Sequence, residues 1–221
     1  MCKLLSAGSK TVLSKMMYKS ILCLNGDLPP RDFFKTLSLP VIAADGAANK
    51  LHKLGITPNV VIGDLDSIDP HLEVERIHVE DQNRCDYEKS MAYLTNHGLL
   101  PTIILGSSGG DLDHILNNIN VFMASPPGNL LYTPPLYGSV LSQFQTTLKL
   151  PLHTKVSLIG LPQARLITQG LKWDLTNKTL CFPGFNSCFN QTNENMISIQ
   201  VLEGQVLFLA HAFFLQEKQP Q

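Results

Sequence analysis

Along the first 132 residues, short apolar runs alternate with segments whose apolar side chains recur every three or four positions. The runs Ile21–Leu24, Val41–Ala44, Val60–Ile62, Ile77–Val79, Ile103–Leu105 and Leu130–Tyr132 predict strands. Between them, Ala47–Leu54, Asp86–Asn96 and Leu112–Met123 predict helices. In the last of these, Ile115, Leu116, Ile119 and Phe122 fall at helical spacing. Such alternation predicts an α/β N-terminal domain with a mostly parallel sheet, a class that binds ligands beyond the carboxyl ends of its strands.

After Pro134-Pro135 the texture changes. Val156–Ile159, Leu166–Thr168, Leu180–Phe182, Ile197–Val201 and Val206–Leu209 are short alternating runs separated by Gly, Asn and Pro, with no helical period between them. They predict an all-β C-terminal sandwich domain. The expected organisation is a flexible tail over 1–19, an α/β unit over 20–132 and a β-sandwich over 136–215, with the boundary between 126 and 138. Lys3, Lys10, Lys15 and Lys19 precede the first acidic residue, Asp27, so a presequence competes with the plain tail. The segment has no Arg and no continuous apolar core, which favours the tail, and Met16 or Met17 is an alternative start.

Composition narrows the class. A chain that is 44% hydrophobic and 16% charged is not largely disordered, and a net charge of −1 with only four Arg does not suit a nucleic-acid coat or a polybasic membrane binder. No apolar run approaches the about 20 residues of a membrane span. Five scattered cysteines (Cys2, Cys23, Cys85, Cys181, Cys188) include no C-x-x-C pair, which fits neither a disulfide framework nor a zinc site and points to the cytoplasm. The charge is unevenly spread. From Asp45 to Asp113 there are 12 acidic and five basic residues, a local balance of −7 against +6 elsewhere. An acidic segment in a near-neutral chain suggests a bound cation.

The acidic groups sit at strand ends. Asp45 follows Val41–Ala44, while Asp64 and Asp66 follow Val60–Ile62 in the order Gly63-Asp64-Leu65-Asp66-Ser67. On an extended segment, residues i and i+2 point the same way, so Asp64 and Asp66 are expected to converge. Their repulsion would be relieved by a hard cation such as Mg²⁺. An Asp-rich turn with helix-capping roles explains the same pattern. Asp86 is expected to open a helix, with Lys89 three residues on along the same face, either as a metal-and-phosphate pair or as an ordinary helix ion pair. The Gly106-Ser107-Ser108-Gly109-Gly110-Asp111-Leu112-Asp113-His114 segment lies between a strand and a helix, where glycines let backbone amides approach phosphate. It matches neither a Walker A loop nor a G-x-G-x-x-G fingerprint. His114 has no partner at ligand spacing and reads as structural. The single Trp, Trp173, lies in Gly170-Leu171-Lys172-Trp173 and could either stack on a flat heterocycle or fill a core, with small polar groups available from Ser187 to Asn190.

In this order, DGAANKLHKLGITPNVVIGDLDSI (45–68), DQNRCDYEK (81–89), SGGDLDHILNN (108–118), TQGLKWDL (168–175) and SCFN (187–190) resemble the thiamine pyrophosphokinase family over roughly residues 20–210. The resemblance implies an Mg²⁺-dependent enzyme that transfers the diphosphate of ATP to the hydroxyl of thiamine and releases AMP. It also implies a homodimer with sites between subunits. Carried over by motif, Asp45, Asp64, Asp66 and Asp86 would hold Mg²⁺ and the ATP phosphates, with Gln82 and Lys89 lining the phosphate channel. Gly109, Gly110 and Asp113 would contribute to the nucleotide loop. Gly170, Lys172, Trp173, Ser187 and Asn190 would receive thiamine.

The chain departs from the family pattern at several positions. Asp111 stands where the family usually has Arg, Gln169 where Lys is common, Phe189 where a small polar residue is expected, and Cys85 where Thr precedes the Asp. Arg84 is the candidate replacement for the cation missing at 111. These changes keep two other readings open: a related diphosphotransferase acting on another heterocyclic alcohol, such as a hydroxymethyl pterin, and a catalytically weak thiamine- or nucleotide-binding homologue.

Overall fold

The computed structural model describes residues 18–142 and 144–211. The expected tail lies outside the described residues for positions 1–17, as does the expected sandwich end at 212–215. Internal contacts divide the chain between Pro134 and Pro135 into two compact units.

The first unit runs β1 (Ser20–Cys23), α1 (Arg31–Leu37), β2 (Val41–Ala44), α2 (Ala47–Lys53), β3 (Val60–Gly63), β4 (Arg76–His78), α3 (Asp86–Asn96), β5 (Thr102–Leu105), α4 (Leu112–Ala124) and β6 (Leu130–Thr133). Its strands pair in parallel in the order β6-β5-β1-β2-β3-β4. Strands β1, β2, β3 and β5 are buried at every position, which is why their sequences read as unbroken apolar runs. Pairing places β1 between β2 and β5. The chain therefore leaves β1 toward one edge through β4 and returns to the other side at β5. A crevice opens where strand order reverses.

The helix α1, RDFFKTL, is not evident in the sequence because seven residues give less than two turns of periodicity. Phe33, Phe34 and Leu37 nonetheless bury against the unit, with Phe33 stacked on Tyr132 at 5.0 Å. Helix α3 packs on β2 and β3 through Tyr87, Met91 and Leu94. The apolar spacing of α4 gives a different outcome: Val121 and Phe122 are buried, while Leu112 and Leu116 are exposed.

The second unit is antiparallel throughout: β7 (Leu136–Ser142), β8 (Gln145–Lys149), β9 (Lys155–Gln169), β10 (Lys178–Cys181), β11 (Ser187–Gln191) and β12 (Met196–His211). The four sequence runs at 156–159, 166–168, 197–201 and 206–209 belong to only two strands, β9 and β12. The first half of β9 pairs with β11 and the second half of β12, which in turn pairs with β7. The second half of β9 pairs with β10 and the first half of β12, which pairs with β8. The register between β9 and β12 shifts between Val201 and Glu203, where β12 carries one extra residue, and again between Gly204 and Val206, where the longer stretch lies in β9. The one-residue bulge after Val201 moves the buried set from odd positions (197, 199, 201) to even ones (206, 208, 210), with Leu207 buried as well. Gly160, Pro162 and Gly204 read as turn signals in the sequence, yet they mark the places where continuous strands bend.

Phe208 is 1% exposed and meets Tyr137 edge to face at 6.2 Å. Phe208→Ala is expected to destabilise the antiparallel unit by about 3–5 kcal/mol through lost burial and a residual cavity. Urea unfolding monitored by near-UV circular dichroism measures this, and a loss below about 1 kcal/mol would mean that the site collapses around the deletion.

Candidate active site

A cleft of about 420 Å³ opens at the carboxyl end of the parallel sheet. It is lined from the loops after β1 (Asn25, Gly26), β2 (Asp45), β3 (Asp64) and β5 (Ser107, Gly110), and from the starts of α3 and α4. This is the crevice that the reversal at β1 and β5 creates.

Three carboxylates meet there. Ligand-competent oxygens of Asp45, Asp64 and Asp86 lie within 4.8 Å of one another. Asp45 ends β2 in the left-handed backbone region (φ 35°), a conformation Asp tolerates better than most residues. Asp86 opens α3, where a negative charge also suits the helix dipole. Gly63 lets these groups close in, because a Cβ there would lie 2.8 Å from the Asp45 Cβ and 3.0 Å from Asp86 Oδ1.

Lys89, whose side chain is 2% exposed, donates from Nζ to Asp86 Oδ1 at 3.0 Å. Burial works against its ammonium, but the Asp86 hydrogen bond and the charges of Asp86, Asp64 and Asp81 outweigh it and hold the pKa above its ordinary value. Three carboxylates against one ammonium leave two negative charges, the complement of one divalent cation.

Asp45 bears most directly on whether the site suits a metal. Its Oδ2 accepts from the Ser67 amide at 3.2 Å, but Oδ1 is buried without a partner among the described residues. A buried, unpaired carboxylate oxygen is costly, and a cation shared with Asp64 and Asp86 would satisfy it. The donor set is all oxygen, which fits Mg²⁺.

Asp66 is placed differently from the expectation. The segment is not extended, because β3 ends at Gly63 and Leu65 adopts φ 64°, so Asp64 and Asp66 do not project in parallel. Asp66 is exposed, accepts from Ser67 Oγ at 2.8 Å and stands outside the three-carboxylate group. Its charge still acts on Asp45.

Gln82 and Arg84 line the cleft, and Arg84 Nε donates to Asp81 Oδ2 at 2.7 Å, which holds that carboxyl below its ordinary value. Gly110 lines the cleft, whereas Gly109 and Asp113 do not. Gly109 packs against Asp27, and the Asp113 carboxylate accepts from the His114 amide. Asp111 precedes α4, is exposed and makes no side-chain capping bond; nothing in the structure explains the acidic residue there. Asn25, Gly26, Asn117, Asn118 and His114 also line the cleft and were not singled out for a site role from the sequence. The available signal for the first two was an Asn-Gly pair just beyond a buried strand. His114 lacks Cys or His neighbours, yet it reaches the cleft from the first turn of α4.

The second unit carries the other candidates. Trp173 is 57% exposed, so it is not a core residue, and the Lys172 ammonium lies 4.7 Å from its ring centroid. Asn190 is buried and fully engaged. Its Oδ1 accepts from the Trp173 amide (3.2 Å), and its Nδ2 donates to the Trp173 carbonyl (2.8 Å) and to Ser187 Oγ (3.1 Å). Asn190 thus holds the Trp173 backbone, and Ser187 Oγ anchors its amide. Asp174 was missed by sequence reasoning; its carboxylate accepts from Thr168 Oγ1, Gly170 N and Leu171 N and ties the same loop. Phe189 is 75% exposed at φ 58°.

A parallel α/β unit with three converging carboxylates, a buried lysine and glycine-bearing loops at its switch point has the chemistry to take a phosphate chain together with a divalent cation. Comparison with known proteins identifies the family. Residues 35–129 match the family model described as thiamin pyrophosphokinase, catalytic domain, and residues 143–206 match the thiamin pyrophosphokinase vitamin B1 binding domain. Thiamine pyrophosphokinase 3 of Oryza sativa subsp. japonica is 26% identical over 199 residues, covering 72% of this chain and 73% of the relative. Thiamine pyrophosphokinase 2 of Arabidopsis thaliana matches to the same extent. In fold, the chain is similar to yeast thiamin pyrophosphokinase with a TM-score of 0.79 at 18% identity, covering 96% of this chain and 93% of that one. The Bacillus subtilis enzyme gives 0.75 at 17%, covering 88% and 99%. The chain belongs to the thiamin pyrophosphokinase family.

The Asp45 carboxyl is held above its ordinary pKa by burial, reinforced by the Asp86 and Asp66 charges and opposed by the Ser67 hydrogen bonds. A carboxyl raised by folding stabilises the fold while it is protonated, and that contribution is lost as pH rises through the raised value. At pH 7 the ionised group therefore works against the metal-free fold. Asp45→Asn is expected to raise the Tm of chelator-treated protein at pH 7, with the gap closing below the ordinary carboxylate range. Identical melting at pH 7 would show that the Asp45 charge is not under strain.

Proposed function

We propose that the chain transfers the diphosphate of ATP to the hydroxyl of thiamine, forming thiamine diphosphate and AMP. The observation that carries this reading is the Asp45–Asp64–Asp86 cluster, with its unpaired buried oxygen beside Lys89, in a chain that both family models match.

In the reaction a bond forms from the thiamine hydroxyl oxygen to the β-phosphorus of ATP. The bond from that phosphorus to the oxygen bridging the α- and β-phosphates breaks, and AMP leaves with the bridging oxygen. The hydroxyl proton passes to a carboxylate among Asp64, Asp66 and Asp86. Asp45, Asp64 and Asp86 would hold Mg²⁺, with Asp66, outside that group, acting on it through its charge. The ion, when bound, neutralises phosphate charge. Lys89, Gln82 and Arg84 bind the phosphate chain, while Gly109, Gly110 and Asp113 belong to the nucleotide loop. Positioning and fixed charge then account for most of the rate.

Residues 20–132 form the nucleotide unit and 136–215 the thiamine unit in this reading. In this reading, the strand set β11, β9, β12 and β7 and the set β10, β9, β12 and β8 supply the two sheets of a sandwich. Trp173 receives the thiamine ring with Gly170 and Lys172, and Ser187 and Asn190 keep its loop in place. A homodimer with sites between subunits and a cytoplasmic location complete the reading. Four free thiols among the described residues support the location, and no helix among those residues is long and apolar enough to cross a membrane.

Thiamine-dependent release of AMP from Mg²⁺-ATP is the direct test. Activity on a hydroxymethyl pterin with thiamine inert would overturn the acceptor, and binding of both ligands without turnover would overturn the chemistry. Asp64→Asn is expected to lower turnover by about 10²–10³-fold, by removing a charged group from the transition-state environment. Trp173→Ala is expected to raise KM for thiamine about tenfold with little change in KM for ATP. If Arg84→Ala leaves KM for ATP unchanged, Arg84 does not replace the cation missing at position 111.

A further inference from the structure

The loop after β1 holds a feature that the carboxylate cluster does not explain. Lys50, on α2, donates from Nζ to the carbonyl oxygens of Asn25 (2.8 Å) and Gly26 (2.9 Å). It forms no ion pair among the described residues, so its charge is spent on two peptide dipoles. In a trans peptide the N–H points opposite to the C=O. Two amides, those of Gly26 and Asp27, are therefore turned away from Lys50. The Asp27 amide donates to Ser108 O at 2.7 Å. No acceptor among the described residues takes the Gly26 amide, although Gly26 is buried. Buried backbone amides are almost always paired.

The turn is also fixed in place. A Cβ on Gly26 would fall 2.0 Å from Ser108 O and 2.2 Å from Gly106 O, so the loops after β1 and β5 interlock backbone to backbone. Asn25 and Gly26 line the same cleft as Asp45, Asp64 and Lys89. An unpaired amide whose peptide is polarised by an ammonium, set in a rigid turn, is a donor for an anion.

We propose that the Asn25–Gly26 turn is an anion subsite of the cleft, in which the Gly26 amide takes an oxygen of the nucleotide polyphosphate chain and Lys50 is the positioning residue that aims it. This rests on the nucleotide reading above and adds to it a subsite made of backbone. Lys50 acts through the two carbonyls it holds and does not itself need to touch the ligand.

The test titrates inorganic tripolyphosphate into ¹⁵N-labelled full-length protein with Mg²⁺ present, beside a parallel titration with adenosine. The Gly26 amide proton is expected to move downfield with tripolyphosphate and not with adenosine. Lys50→Met, with its fold checked by the dispersion of the same spectrum, is expected to weaken tripolyphosphate about tenfold and leave adenosine unchanged. Lys50→Arg, which keeps two donors, is expected to restore most of the loss. In turnover, Lys50→Met is expected to raise KM for ATP and not KM for thiamine. An unmoved Gly26 amide in the wild type, unchanged tripolyphosphate affinity in Lys50→Met, or an equal loss of adenosine binding each overturns the proposal while the nucleotide reading stands. Failure of the wild-type protein to bind tripolyphosphate or ATP would instead remove the nucleotide reading, and the subsite with it.

Discussion

Mutual repulsion among Asp45, Asp64 and Asp86 is the constraint around which the first unit is arranged. Their oxygens crowd within 4.8 Å, a separation that like charges keep only where the surrounding structure forces it or a cation relieves it. The forcing elements are identifiable. Asp45 sits in a left-handed backbone conformation at the end of β2, β3 closes with a glycine that leaves room for two carboxylates, and α3 starts at Asp86. Lys89 returns one positive charge from the next turn of α3, from a position almost sealed from solvent. A buried lysine of this kind is tolerated only because its partner is fixed by the same helix. The cost of holding the cluster falls on the metal-free state, and a divalent cation shared by the three carboxylates would relieve it.

The second unit solves a different problem. An indole left more than half exposed gains little from burial, so its loop must be held by other means. Asn190 does this with three hydrogen bonds and Asp174 with three more, all reached from residues close to the ring. The long strands β9 and β12 supply the rigid base, with their bends carrying one continuous pair of strands through two sets of neighbours. A rigid mount for an exposed aromatic group lowers the ordering cost on binding.

Much of this was legible in the residues. The strands β1, β2, β3 and β5 announce themselves as apolar runs because both faces are buried, and Asp45, Asp64, Asp86 and Lys89 stand out because charge at the end of such a run needs a reason. Helix α1 was not legible at seven residues, nor were β7 and β8, whose half-buried positions give no clean alternation. Asp66 was paired with Asp64 on the assumption of an extended chain; a single left-handed residue, Leu65, separates them. The hydrogen bonds of Asn190 to the Trp173 backbone were not legible, because a residue type does not reveal which way its amide turns.

The alternation of strand and helix, the change of texture after Pro134-Pro135 and the presence of residue types suited to phosphate and metal can be read from the chain alone, since these depend on local periodicity and on charge at element ends. Tertiary structure alone decided which of those charges share one point, which glycines exist to let backbones touch, and that Lys50 on α2 serves a turn 24 residues earlier in the chain. The physical reason is common to all three. Convergence depends on strand order and backbone φ at single residues, and neither is encoded in the spacing of side chains along the chain.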